Sequence, residues 1–147
     1  MSSQDKSRRP LIASLISLAI FTASLTQTAF TYHDYDGNHS YPAITTFLGG
    51  AFAILGGGLM EWLTWLANPL YFVAIVLFLL KKKASKRLSM IALLIALSFI
   101  FWQEILASES GREAKILHLQ IGYYLWILSM LILHFNSRSY FRKPATS

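Results

Sequence analysis

The chain has 147 residues, of which 54% are hydrophobic and only 14% charged, against about 25% charged in an ordinary soluble domain. Its net charge is +6, but the basic residues gather at the ends of apolar runs, which excludes a nucleic-acid-binding stripe and points to a membrane protein. It has no cysteine, so disulfides, thiolate metal sites and cysteine nucleophiles are excluded as well.

The first apolar run, residues 10–30, follows Lys6, Arg8 and Arg9. At 21 residues it exceeds a signal-peptide core of roughly 7 to 15, and no good small-x-small cleavage site follows it, so it reads as an uncleaved first span. Ala13, Ser17, Ser24 and Thr28 mark a small-residue face along it, of the kind that lets membrane helices approach closely. The polar stretch TYHDYDGNHSYP comes next and reads as a loop, with His33, Asp34, Asp36 and His39 roofing the bundle.

The second run, residues 44–80, is too long for one upright crossing. At about 1.5 Å per residue it would measure about 55 Å, against about 30 Å of hydrocarbon. Gly56, Gly57 and Gly58 interrupt it, each costing about 1 kcal/mol in a helix interior. Residues 44–55 are therefore expected to form an interfacial or re-entrant segment and residues 59–80 the second span; one long tilted helix is the main rival. Within the span, Glu61, Trp65 and Asn68 share a face. Pro69 lies near the midplane, withdraws the donor that Trp65 needs, and kinks the helix. The freed carbonyl calls for a partner from a neighbouring helix or a water. Glu61, in the first turn, reads as an interfacial acid favoured by the helix dipole.

The loop KKKASKR, residues 81–87, leads to a third span, residues 88–105, with Ser89, Ala92, Ala96 and Gln103 on one face. The fourth span, residues 116–135, carries His118, Gly122 and Ser129 on one face. With both termini and residues 81–87 cytoplasmic, eleven of the thirteen Lys and Arg lie inside, a strong form of the positive-inside rule. The expected fold is thus all-α: a single domain of four transmembrane helices in a compact four-helix bundle, multi-pass in the bacterial inner membrane. Its interior is expected to be dry toward the cytoplasm and polar toward the outside. There Glu61, Asn68, Gln103, Glu104 and His118 would form a polar cluster.

No phosphate loop, nucleophile elbow, metal-ligand spacing or redox motif is present, so no catalytic residue, metal or cofactor is assigned. The functional expectation is a non-enzymatic accessory, scaffold or immunity-type subunit. It would work through helix–helix contact with a membrane protein partner or a second copy, in the lipid bilayer and without nucleic acid. The alternative is a small transporter, or an ion- or proton-conducting subunit, that uses the outer polar cavity.

Overall fold

The computed structural model describes residues 3–106 and 112–142. In chain order its elements are α1 (Ser3–Leu25), β1 (Thr28–Asp34), β2 (Gly37–Pro42), α2 (Ala43–Gly50), α3 (Leu59–Trp65), α4 (Ala67–Leu79), α5 (Ala84–Ser98), β3 (Glu104–Leu106), β4 (Glu113–Leu119) and α6 (Ile121–Tyr140), with 3-10 turns at Ala53–Gly56 and Phe99–Phe101.

The all-α four-span bundle is corrected on two counts. First, the stretches between the long helices pair into a four-stranded antiparallel sheet of order β2-β1-β4-β3. β1, TAFTYHD, is rich in the β-branched and aromatic residues that suit a pleated surface. It turns through Tyr35-Asp36 into Gly37, whose φ of 128° is a conformation that side chains other than glycine's rarely adopt. Three apolar runs overrun their helices into this sheet: residues 28–30 join β1, 104–105 join β3 and 116–119 join β4.

Second, among the described residues three helices, not four, are long and apolar enough to cross a membrane: Arg8–Leu25, Leu59–Leu79 and Ala84–Phe101. α6 is as long, at 20 residues, but Ser129, His134 and Ser137 lower its hydropathy, and all three are buried against the other helices. Ile121, Tyr124, Leu128 and Phe135 point outward from it.

The same inversion runs through the whole helical layer. Ser14, Ser17, Ser24, Ser85 and Ser89 are buried, while Leu11, Ile12, Leu15, Ile16, Val73, Val76 and Leu94 are exposed. A serine can be buried cheaply when its hydroxyl bonds a carbonyl, and each of these except Ser14 does so or bridges helices. The Ser17 hydroxyl donates to the Ser129 carbonyl at 2.7 Å and so accepts from the Tyr71 hydroxyl at 2.6 Å, tying α1, α4 and α6 together. Toward the far end, Ser85 donates to the Ala74 carbonyl and meets Ser137 at 3.1 Å. Ser89 meets His134 Nδ1 at 3.1 Å. The half of the layer expected to be dry thus holds polar pairs bonded to one another, linking α4, α5 and α6.

Contacts fix the direction of each helix. At one end α6 begins against the backbone of Ser24 and Thr28, and Phe99, just after α5, packs on Phe30 at 5.5 Å. At the other end Ser85 meets Ser137, and Phe78 meets Tyr140 at 5.7 Å. The sheet caps the first end. Arg8, Arg9, the loop lysines, Arg138 and Arg142 all belong to the second. Residues 44–55 do not cross the layer: α2 spans eight residues, about 12 Å, and the 3-10 turn at Ala53–Gly56 follows, which rules out one long tilted helix.

Candidate functional site

Where the sheet meets the helical layer the chain leaves a cavity of about 570 Å³, within the roughly 300 to 1,000 Å³ usual for small-molecule sites. The end of α1, the start of α6, β1, β2, α2, the Ala53–Gly56 turn, α3 and α4 contribute to its wall, as do Phe99 and the Ile105-Leu106 step of β3. Most of that wall is apolar or aromatic.

Its polar features come from the α3–α4 junction. Pro69 carries no N–H, so the Trp65 carbonyl loses its helical donor. The Asn68 side chain replaces it: Nδ2 donates to the Trp65 carbonyl at 3.1 Å. The same amide accepts from Trp126 Nε1 of α6 at 2.9 Å. Asn68 thus closes the gap left by its own neighbour and bonds α4 to α6. Trp65 is pinned in turn, its Nε1 donating to the Phe47 carbonyl at 2.7 Å. The helix continues across the proline, with Leu66 N–H bonding Trp62 and Leu70 N–H bonding Leu66.

Glu61 lies one turn before Trp65. Its Oε1 accepts the backbone N–H of Leu106 at 2.9 Å, which holds the end of β3 against α3. Its Oε2 has no hydrogen-bond partner among the described residues and faces Gly58, where an added Cβ would lie 3.0 Å away. Among the lining residues Glu61 is the one acidic or basic side chain. Tyr41 also lines the cavity, and burial pushes its phenol above the usual range, so it stays neutral.

Glu61 and Asn68 therefore line the cavity, and Pro69, next to Asn68 in α4, does not. Gln103, Glu104 and His118 do not join them. All three are exposed, Gln103 in the link before β3, Glu104 opposite Lys115, and His118 on β4 opposite Thr31. His118 and Gly122 do not share a helical face, because Leu119 ends the strand and α6 begins at Ile121. Ala13, Ser17, Ser24, Ser89, Ala92, Ala96, Gly122 and Ser129 are buried between helices.

His33, Asp34, Asp36 and His39 form the hairpin tip rather than a roof over the cavity. His33 pairs with Asn38 at 2.7 Å, His39 with Asp36 at 2.8 Å, and Arg112 with Asp34 at 3.0 Å. The His39 hydrogen bond holds the exposed Asp36 carboxyl below its usual range. That contact contributes above the ordinary carboxylate range and is lost as pH falls through the lowered value. Among the described residues no group of three His, Asp or Glu side chains is placed to hold a metal ion.

Sequence reading missed Trp126 as the partner of Asn68, Leu106 as the partner of Glu61, and the buried His134. For His134 a signal existed: Ser85 and Ser89 recur at four, while Met130, Leu133, His134 and Ser137 recur at three and four on α6. Set against models of protein families, curated proteins and solved structures, the chain matches none of them.

Proposed function

We propose that this chain is a multi-pass protein of the bacterial inner membrane that acts without catalysis, as an accessory, scaffold or immunity-type subunit beside a membrane protein partner or a second copy. The inverted polarity of the helical layer carries the reading. Serines and a histidine face in and bond one another, while isoleucines, leucines and valines face out. In water that arrangement exposes apolar surface at a cost of about 25 cal/mol per Å². In lipid the outward surface costs nothing, and the inward hydroxyls supply the interhelical bonds that hold such bundles together. The basic end then lies in the cytoplasm and the sheet outside.

A labelling experiment tests the placement. Two single-cysteine variants suit it, Tyr35→Cys on the exposed hairpin tip and Lys83→Cys on the exposed loop after α4. Ser85 is buried and bonded to Ala74, and Gly37 sits at positive φ, so neither is suitable; Ser110 lies outside the described residues. The Tyr35→Cys protein is expected to react with an impermeant thiol reagent in intact cells, and the Lys83→Cys protein only after lysis. Reaction of Lys83→Cys before lysis would overturn the topology, and reaction of neither before lysis would remove the membrane reading. For the accessory role, a photo-crosslinking residue at Leu128, exposed on α6, is expected to give one discrete protein adduct in native membranes. Lipid adducts alone would argue against a partner.

The cavity favours a second reading, the small transporter. Beneath Asn68, however, Tyr71, Phe78, Met130 and Leu133 are buried to 1% exposure or less and close the interior. A transport cycle would have to break the Ser17–Tyr71–Ser129 bonds to open a route. Binding without conduction fits this packing better.

A further inference from the structure

The cavity has one net charge and no counter-charge. Glu61 stands alone in a wall with no Lys, Arg or His, and Arg112, just before β4, is engaged by Asp34 and stacked on Tyr35 at 4.6 Å. Asn68 is neutral, and its amide already gives one bond and takes one inside the protein. Among the described residues nothing bonds the second oxygen of Glu61, and Gly58 keeps that oxygen uncovered. A Cβ there would sit 3.0 Å from Oε2 and 3.1 Å from the Ala53 carbonyl. Phe47, Trp65, Tyr123 and Trp126 are among the aromatic residues that line the same cavity, and aromatic faces attract a cation as well as apolar surface.

We infer that the cavity binds an amphipathic organic cation: an ammonium head beside Glu61 Oε2 and an apolar body along the aromatic wall. A neutral apolar ligand would leave the carboxylate desolvated and unpaired, and an anion would be repelled by it. The inference goes beyond the accessory role and does not depend on a partner. One chemistry has two sources here, a free amphipathic amine or the choline head of a phospholipid.

The test uses the full chain in lipid nanodiscs, with Trp62 and Trp102 changed to Phe so that emission reports Trp65 and Trp126. Decyltrimethylammonium, decyl maltoside and decyl sulfate share a tail and differ in head charge. The cationic probe is expected to change the emission at concentrations at least about tenfold below the other two. Glu61→Gln, which keeps the acceptor for Leu106, is expected to erase that preference. Gly58→Ala keeps the charge but covers Oε2, and is expected to weaken the cationic probe alone. If choline lipid is the occupant, the advantage of wild type over Glu61→Gln for the cationic probe is smaller in phosphatidylcholine discs than in phosphatidylglycerol discs. If the occupant is a free amine, that advantage is the same in both, since the general enrichment of a cation on anionic lipid affects both proteins alike. Equal binding of all three probes, or an unchanged preference in Glu61→Gln with its fold intact by circular dichroism, would overturn the inference.

Discussion

Replacing Asn68 with leucine is expected to destabilise the protein by about 2 to 3 kcal/mol. The substitution orphans two groups at once, the Trp65 carbonyl and the Trp126 indole N–H. An average interhelical hydrogen bond in a membrane is worth only about 0.6 kcal/mol, because the freed groups find other partners. Here the carbonyl has no such freedom, since Pro69 has already removed the donor one turn on. That makes a cycle possible. Pro69→Ala alone should change stability by less than about 1 kcal/mol, because its new N–H competes for a carbonyl already served. Combined with Asn68→Leu, it should return about 1 kcal/mol, the new backbone donor taking over from the lost amide. Titrating unfolding with dodecyl sulfate in mixed micelles measures all four states. A double variant no more stable than Asn68→Leu would mean that the amide does not stand in for the missing backbone donor.

The α3–α4 junction is the part of the site most open to reading from sequence, because proline chemistry is local. The sequence places Asn68 beside the carbonyl that Pro69 frees, and the demand for a partner follows from the cost of an unpaired group in lipid. Which residue answers was not legible. Trp126 lies 58 positions away, and only the packing of α6 on α4 brings it there. The same holds for Glu61: its first-turn position can be read, its bond to Leu106 cannot.

The helices themselves were legible as apolar runs, but their ends were not. Hydropathy alone does not distinguish a helix from the apolar strand that follows it. Residues 28–30 and 116–119 thus lengthened two spans on paper while belonging to β1 and β4 in the fold. Two signals for the sheet went unused: the β-branched and aromatic content of TAFTYHD, and the Asp36-Gly37 step after it, which commonly turns a hairpin. Counting residues 116–119 into the fourth helix also misplaced His118. Its four-residue spacing to Gly122 has meaning only if both lie on one helix.

Gly122 provides the second large effect, and the opposite sign at Gly49 makes it discriminating. α6 starts where a Cβ on Gly122 would lie 2.6 Å from the Thr28 carbonyl oxygen and 2.9 Å from its carbon, both backbone atoms that cannot rotate away. The adjacent bond from Gln120 N–H to the Ala29 carbonyl, at 2.8 Å, holds this corner closed. Gly122→Ala gains up to about 1 kcal/mol of helix propensity but must open the corner, which costs about 1 to 3 kcal/mol, so the net change should be destabilising. Gly122→Val adds two methyl groups to the same clash and should exceed about 3 kcal/mol. Gly49, near the end of α2, has nothing within 4 Å of its added Cβ, so Gly49→Ala should be neutral or stabilising by up to about 1 kcal/mol. Melting temperatures in detergent should therefore fall in the order Gly49→Ala, wild type, Gly122→Ala, Gly122→Val. A Gly122→Ala protein as stable as wild type would mean that α6 does not rest on the turn between α1 and β1, and the sheet would lose its hold on the helical layer at that corner.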